Sequence, residues 1–219
     1  MKPIRKILNF IPQYARKPLL FLLAFNMLAY ILPSVLPVEP RFDMTLPIDL
    51  KIPAIPVFSY IYVLSYVYWA FNYILICKKN KSMCKRFVTA EVVGKAVCFL
   101  IFMLVPCTFA RPEADTLSGP GAWLLKIVYA LDEPTRLIPS IHCYASWMCV
   151  RPLMDKGFDY VPAWYKAFSL VFTLLVCLST LFTRQHVIVD VFAGVLLGEI
   201  VWIASGRMFK DQSKDVAGK

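Results

Sequence analysis

The chain has 219 residues, of which 59% are hydrophobic and 15% aromatic, and its formal net charge is +10. The hydrophobic share exceeds the roughly half that is typical of soluble domains, so the composition excludes an ordinary soluble protein. The positive charge does not indicate a nucleic-acid partner, because the basic residues cluster between apolar segments, as they do in membrane proteins. We therefore predict a single all-α membrane domain over residues 1–219.

Six apolar segments of about 15 to 24 residues predict membrane-spanning helices, because about 20 apolar residues cross a hydrocarbon core. In chain order they cover residues 18–36, 55–77, 87–110, 140–154, 164–182 and 187–206. The fourth segment is the shortest, and we expect it to begin in the membrane interface or to tilt into a cavity. Before it, residues 122–131 predict a short amphipathic helix that lies on the interface. The predicted fold is a bundle of six transmembrane helices.

The basic residues are distributed unequally between the two ends of the predicted spans. If the N-terminus is cytoplasmic, the segments on the cytoplasmic side hold 17 of the 24 lysine and arginine residues. Because positively charged loops stay inside, this bias predicts that both termini are cytoplasmic. The same topology brings His142, His186, Arg111 and Arg184 together on the extracytoplasmic side, where we expect the active site.

The cysteines and histidines do not predict a structural or catalytic metal. The seven cysteines include no Cys-x-x-Cys pair, and their odd number argues against a disulfide framework, so we interpret them as packing residues. Two histidines and one aspartate can ligate iron or zinc, but arginines on the same face repel a cation. We predict neither a metal nor another cofactor.

The two histidines are the candidates for catalysis, because ionisable groups at membrane depth are costly and usually functional. His186 and Asp190 are four residues apart, so on a helix they share one face. A carboxylate there can accept a hydrogen bond from one ring nitrogen and raise the basicity of the other. His142 offers the second proton donor or acceptor that acid–base catalysis requires. The alternative interpretation of His186 and Asp190 is a buried polar pair that ties helices together.

Cationic and hydrogen-bonding groups near these histidines suit a phosphate ligand. Arg184 and Arg111 lie at the outer ends of predicted spans, where a guanidinium can bind phosphate oxygens; the alternative is that each anchors the chain at the interface. Ser140 and the backbone N–H groups that follow it at a helix start supply further donors for an anion. The set favours phosphoryl transfer, in which one histidine attacks phosphorus and the other protonates the leaving oxygen.

Two short motifs resemble those of the type-2 phosphatidic acid phosphatase superfamily. The sequence PSIH ends at His142, and the sequence TRQHVIVD contains His186 and Asp190. The resemblance implies a six-helix membrane core in which His186 forms a phosphohistidine and His142 protonates the leaving group. It also implies that Asp190 orients the nucleophile and that Ser140 binds phosphate. The continuation DVFAG is most similar to the branch that contains inositol phosphotransferases and sphingomyelin synthases.

The chain departs from the family pattern at several positions within the motif region, residues 111–190, and just before it. Ile141 replaces the usual glycine of the first histidine motif, and Thr180 stands where an arginine is expected, so Arg184 is the candidate substitute. The family also has a motif before the two histidine motifs that begins with lysine and ends with arginine and proline. In this chain Arg111 matches its arginine, but Leu104 occupies the position of its lysine. This incomplete motif fits the transferase-like branch better than a strict hydrolase.

A further polar pair is predicted inside the membrane. Lys95 lies four residues after Glu91 in the third predicted span, which is the spacing of an ion pair on one helix face. Lys95 is too far from Arg111 to replace the missing lysine of the family motif, because 16 helical residues extend about 24 Å.

These observations leave three hypotheses open for the function. The first is a lipid phosphatase that hydrolyses a lipid phosphate or diphosphate at the outer membrane face through a phosphohistidine. The second is a lipid head-group phosphotransferase, in which an alcohol replaces water as acceptor. The third is a non-enzymatic membrane protein in which His186 and Asp190 only pack helices together. The expected partners are the bilayer and a lipid phosphate; the sequence does not specify the lipid or the oligomeric state.

Overall fold

The computed structural model describes residues 10–35, 39, 42–135 and 137–217. These residues form seven α-helices: α1 (Gln13–Val35), α2 (Phe58–Cys77), α3 (Lys81–Leu104), α4 (Ala122–Leu131), α5 (Ile141–Val150), α6 (Ala163–Phe182) and α7 (Ile188–Ala217). Two short strands, β1 (Phe42–Asp43) and β2 (Cys107–Thr108), pair in parallel and join the segment before α2 to the segment after α3. The protein is therefore mostly helical, as predicted.

Among the residues that the structure describes, four helices are long and apolar enough to cross a membrane. They are α2, α3, α6 and the part of α7 from Ile188 to Phe209. Their outward-facing sides carry many exposed large apolar side chains, and extensive exposed apolar patches are rare on soluble monomers. These helices support an integral membrane protein. The count of six spans is not confirmed, and residue 36 at the end of the first predicted span lies outside the described residues.

The fourth predicted span differs most from expectation. Helix α5 has only 10 residues and is followed by a 3-10 turn at Pro152–Met154. Ten helical residues extend about 15 Å, half of a hydrocarbon core of about 30 Å. All but Ile141 and Trp147 in α5 are buried, because α5 packs against α2, α6 and α7. A helix surrounded by other helices does not have to match the thickness of the bilayer.

Helix α4 begins where glycine is required. Gly121 has a φ of 83°, and a Cβ added there would lie 2.5 Å from the carbonyl oxygen of Pro56. One face of α4 is buried, while Trp123, Ile127 and Leu131 form an exposed apolar stripe at intervals of four residues. This stripe suits contact with lipid, and the placement of α4 on the membrane interface stays a prediction.

A buried ion pair and its hydrogen-bond partners connect α1, α2 and α3 inside the bundle. Lys95 Nζ lies 3.2 Å from Glu91 Oε2, so the predicted intramembrane ion pair is confirmed. Tyr73 of α2 donates a hydrogen bond of 2.7 Å to the same carboxylate oxygen, and Lys95 also donates to Asn26 of α1 at 3.0 Å. These bonds partly offset the cost of charged groups in an apolar interior and tie α1, α2 and α3 together, while Glu91 Oε1 has no hydrogen-bond partner among the described residues.

A second polar network closes the end of the bundle away from the two histidines. Arg151 contacts Asp155 at 2.7 Å and Glu199 at 2.9 Å, and Arg86 contacts Asp155 at 3.4 Å. The indole N–H groups of Trp147 and Trp202 donate to Glu199 and Asp155. The network fixes the part of α7 around Glu199 and Trp202 against α3 and α5. These contacts also keep the N-terminal end of α7 aligned with α5.

Candidate active site

His186 and Asp190 lie in the turn that begins α7. The Nδ1–H group of His186 donates to Asp190 Oδ2 across 3.2 Å, and both side chains are largely shielded from solvent. The same Asp190 oxygen accepts the backbone N–H of Val187 at 3.0 Å, so the carboxylate also caps its own helix. With Nδ1 engaged as donor, the lone pair of a neutral His186 resides on Nε2, which is the geometry of an oriented nucleophile or base.

The environment of His186 favours its protonated form relative to free histidine. Burial by itself lowers the pKa of His186, but the hydrogen bond to Asp190 and the charge of that carboxylate outweigh burial and raise the pKa above its ordinary value. A higher pKa makes the imidazole more basic, which strengthens it as a nucleophile once it is deprotonated.

His142 faces His186 from the first turn of α5. The two ring centroids are 6.5 Å apart. His142 is buried, and its Nε2 has no hydrogen-bond partner within the described part of the chain. A buried ring nitrogen without a partner is costly, and this nitrogen is available to hydrogen-bond a group that is not part of the chain.

Three aromatic side chains of α2 surround His142. Tyr62 stacks on the imidazole with a centroid distance of 4.0 Å, and Tyr66 and Trp69 contact it at 5.5 and 5.0 Å. The three residues recur at intervals of four and three, so they share one face of α2. Sequence analysis missed these contacts, although the aromatic spacing in the second predicted span was a readable signal.

Ser140 joins the two histidine-bearing helices. It is the N-cap of α5, and its Oγ accepts the backbone N–H of Cys143 at 3.4 Å. Its own backbone N–H donates to the carbonyl oxygen of Asp190 at 3.0 Å. Close approach is possible because Gly194 has no side chain: a Cβ there would lie 2.5 Å from the Ser140 carbonyl oxygen. Ser140 therefore fixes the distance between His142 and His186.

Arg184 is buried, two residues before His186, and has a left-handed backbone with a φ of 52°. Its guanidinium donates to the backbone carbonyl oxygens of Asp49, Ile52 and Ala110. These acceptors are neutral, so the arginine holds the loops around the histidine without a carboxylate that cancels its charge. Its predicted contact with phosphate stays a prediction.

Arg111 binds the C-terminal end of α4. Its guanidinium donates to the carbonyl oxygens of Asp132 at 2.7 Å and Tyr129 at 2.8 Å, and it lies over the Tyr129 ring at 4.1 Å. Cations are favourable at this end of a helix, where carbonyl groups lack intrahelical partners. Tyr129 in turn donates its hydroxyl to Thr183 at 2.9 Å, which attaches α4 to the loop of His186. A contact of Arg111 with phosphate likewise stays a prediction.

Asp49 is a carboxylate near the site that sequence analysis missed. It lies in the 3-10 turn Asp49–Lys51, and only 1% of its surface is exposed. Its Oδ1 accepts the backbone N–H of Ile188 at 2.9 Å, at the first residue of α7. No motif surrounds it in the sequence, so only the tertiary contact reveals it. Within the described residues, no group of three or more His, Cys, Asp or Glu side chains could hold a metal ion.

The apolar helices indicate an integral membrane protein, and its two largely buried histidines lie side by side at one end of the bundle. A family model described as the PAP2 superfamily matches residues 98–214, which is more than half of the chain and includes both histidines. The chain belongs to the PAP2 superfamily, and the resemblance inferred from its two motifs is confirmed. Members of this superfamily are generally phosphatases or phosphotransferases. No curated protein and no solved structure matches the chain.

Proposed function

We propose that the protein is an integral-membrane lipid phosphatase that hydrolyses a lipid phosphate or diphosphate through a phosphohistidine on His186. The observation that carries this proposal is the arrangement of two histidine rings 6.5 Å apart, one of them hydrogen-bonded to Asp190. A phosphoryl group placed between the rings contacts a nucleophile on one side and a proton donor on the other.

The first half-reaction transfers the phosphoryl group to the protein. The Nε2 lone pair of His186 attacks phosphorus, the bond from phosphorus to the lipid oxygen breaks, and protonated His142 gives its proton to that oxygen. Asp190 stabilises the charge that develops on the His186 ring through its bond to Nδ1–H. The products are a lipid alcohol, or a lipid monophosphate from a diphosphate, and phosphohistidine.

The second half-reaction regenerates the enzyme. His142, now neutral, takes a proton from water, and the hydroxide attacks phosphorus while the phosphorus–nitrogen bond breaks. His186 recovers its lone pair and inorganic phosphate leaves. The backbone N–H groups at the start of α5 and the hydroxyl of its N-cap, Ser140, are the proposed donors to phosphate oxygens. Arg184 and Arg111 contribute positive charge to the same region.

The proposed topology places the two termini and the active site on opposite sides of the membrane. Both termini lie in the cytoplasm, and the site opens on the extracytoplasmic side of a six-helix core to which α1 and the short α5 contribute. The distribution of basic residues supports this orientation. The outer loops that hold Arg111, Arg184 and Asp49 then cover the site, and α4 lies beside it on the membrane interface.

A lipid head-group phosphotransferase is the second candidate, and one observation favours it. Leu104 occupies the lysine position of the family motif and is 76% exposed, so this position supplies no cation to the site. The first half-reaction is unchanged, and an alcohol replaces water in the second. The third hypothesis is a non-enzymatic role in helix packing, and it predicts no phosphoryl transfer.

The proposal is tested with purified protein in lipid nanodiscs. Inorganic phosphate is measured with phosphatidic acid and with an isoprenoid diphosphate, and phosphorylated alcohols are measured after addition of alcohol acceptors. We expect phosphate release that disappears in His186→Ala and persists in Asp43→Asn, a change in the exposed carboxylate at the end of β1. Phospho-alcohol without phosphate release would establish the transferase instead. Folded protein that forms neither product would contradict both enzymatic readings.

A further inference from the structure

We propose that Asp49 is a positioning residue that holds the turn of His186 in its reactive arrangement, an inference that rests on the proposed function. Asp49 lies in the segment between α1 and α2, 137 residues before His186 in the chain. It is buried, and both of its carboxylate oxygens accept backbone N–H groups: Oδ1 from Ile188 at 2.9 Å and Oδ2 from Leu46 at 2.8 Å. Oδ2 therefore fixes the loop that contains Asp49, and Oδ1 fixes the start of α7.

The N-terminus of α7 receives two carboxylates from different parts of the chain. Asp190 accepts the N–H group of Val187 at 3.0 Å, and Asp49 accepts the next N–H group, that of Ile188. The first N–H groups of a helix lack intrahelical partners and carry partial positive charge, so both contacts are favourable. Because His186 immediately precedes these two groups, they determine where its backbone enters the helix.

The same segment also contacts the chain on the other side of His186. The backbone carbonyl oxygen of Asp49 accepts a hydrogen bond from the Arg184 guanidinium, as does that of Ile52. The N–H group of Ile55 donates to the carbonyl oxygen of Phe182 at 2.8 Å. Residues 49–55 thus run along residues 182–188 and bind them both before and after the histidine.

This placement separates Asp49 from the residues that react. Nothing in its contacts brings the carboxylate to a phosphoryl group, since both oxygens are occupied by backbone donors. Its effect is exerted through the position of His186 relative to Asp190 and His142. Misplacement of a reacting group by about 1 Å can lower a rate by about 100-fold, so loss of this anchor should reduce turnover more than substrate binding.

The test compares Asp49→Asn with Asp43→Asn. An amide offers only one acceptor oxygen and presents N–H groups with its other arm, so Asp49→Asn cannot keep both backbone bonds. Asp43 belongs to the same segment, but it is exposed and its Oδ1 accepts only from nearby Thr45. A third variant, Ile188→Pro, removes the N–H donor and leaves Asp49 intact, and proline is well tolerated at the first position of a helix.

Two measurements are made on each variant in nanodiscs. The first is kcat and KM for the lipid phosphate that the wild-type protein hydrolyses. The second is the NMR titration of His186, which is simple because the chain has two histidines and His142→Gln assigns the signals. We expect Asp49→Asn and Ile188→Pro to lower kcat by about 10- to 100-fold with little change in KM. Both should also lower the pKa of His186, because its contact with Asp190 loosens, whereas Asp43→Asn should match wild type.

Each outcome decides the role of Asp49. If folded Asp49→Asn and Ile188→Pro both keep wild-type kcat and the wild-type titration, Asp49 does not position His186. If Asp49→Asn fails to fold, Ile188→Pro decides alone by the same two readouts. If the wild-type protein hydrolyses no lipid phosphate but the His186 titration still shifts in these variants, the positioning role stands and the proposed function fails.

Discussion

His186 is the residue in which local sequence and chemistry are most directly connected. Its bond to Asp190 joins a residue two positions before α7 to the first turn of that helix, and this bond determines both the tautomer of the ring and its basicity. His142 differs, since within the described part of the chain no carboxylate contacts it and aromatic rings pack around it. Different neighbours thus distinguish two identical side chains, as the different roles that we propose for them require.

Replacement of Asp190 should change the pH dependence of the reaction. Asp190 raises the pKa of His186, and the nucleophile must be deprotonated, so Asp190→Asn should move the acidic limb of kcat/KM to lower pH. The maximum rate should fall by about 100- to 10,000-fold because the ring loses its orientation. The pH–rate profile of phosphate release measures both effects. Asp132→Asn removes a carboxylate that raises the pKa of His186 less than Asp190 does. It should therefore shift the acidic limb of kcat/KM only slightly, without the loss of rate.

The same shift predicts a pH-dependent contribution to stability. A histidine whose pKa is raised by folding stabilises the folded protein below its unfolded pKa of about 6.5, and the contribution disappears as the pH rises through the folded value. Asp190→Asn should therefore lower the unfolding temperature more at about pH 5.5 than at about pH 8. Thermal unfolding in one detergent at both pH values tests this. An equal loss at both would show that Asp190 stabilises the fold only as a helix cap.

The loss of rate in His142→Ala should depend on the leaving group of the substrate, whereas the loss in His186→Ala should not. If His142 protonates the leaving oxygen, His142→Ala should slow hydrolysis of an alkyl phosphate by about 100- to 10,000-fold. An amphiphilic aryl phosphate needs little protonation, because its phenolate leaves readily, so His142→Ala should still release the first equivalent of phenolate at nearly the wild-type rate. Hydrolysis of the phosphohistidine should then be slow, because His142 also activates water. His186→Ala should abolish phenolate release and turnover of both substrates. A first-equivalent phenolate release in His142→Ala that is slowed as much as alkyl phosphate cleavage would contradict its role as the acid.

At the scale of elements, the crossing of α5 and α7 determines the site. Each helix is conventional in itself, but the distance between their N-terminal turns depends on a hydrogen bond from Ser140 to the Asp190 carbonyl and on the absence of a side chain at Gly194. Interiors are close-packed, so a single added methyl group at such a crossing must displace one helix.

Gly194→Ala should therefore impair both stability and activity. Its Cβ would lie 2.5 Å from a backbone oxygen and 3.1 Å from Cys143 Cβ, and neither can move easily. We expect a loss of about 1–3 kcal/mol in the free energy of unfolding, together with a lower kcat. Gly206→Ala, in the same helix, would contact the guanidinium of Arg86 at the end of the bundle away from the histidines, so it should alter stability but leave kcat close to wild type. Denaturation and phosphate-release assays distinguish the two variants.

At the scale of the whole molecule, the two ends of the bundle are built differently. One end holds the histidines, covered by the loops of Arg111, Arg184 and Asp49. The other end is joined by the ion pairs of Arg86 and Arg151 with Asp155 and Glu199. This network holds α3, α5 and α7 together without contacting the histidines, so it supports the site from the opposite end of the bundle.

The orientation in the membrane can be measured with cysteine labelling. All seven native cysteines are buried, so an added exposed cysteine should dominate the reaction with a maleimide. Ser118 and Asp159 are exposed in loops that we assign to opposite sides of the membrane. A membrane-impermeant maleimide should label Ser118→Cys in intact cells and Asp159→Cys only after the membrane is opened. The reverse pattern would place the histidines on the cytoplasmic side.

Much of the site could be predicted because its signals are local. The spacing of His186 and Asp190 predicts their contact, although His186 precedes α7 and does not share a helix face with Asp190. The motif around His142 implies the family, which the match over residues 98–214 establishes. Helix α4 and the Glu91–Lys95 pair were also predicted, since amphipathic periodicity and i,i+4 spacing depend only on neighbouring residues.

What the sequence alone determined is the membrane class, the helical periodicity and the identity of the paired histidines, because composition and short spacing carry that information. Only the tertiary structure decided that α5 is a buried half-length helix, that the aromatic face of α2 surrounds His142, and that Asp49 caps α7. These features depend on contacts between residues far apart in the chain. Apolar patterning specifies which face of a helix is buried, whereas the neighbour that buries it is selected by the packing of the whole bundle.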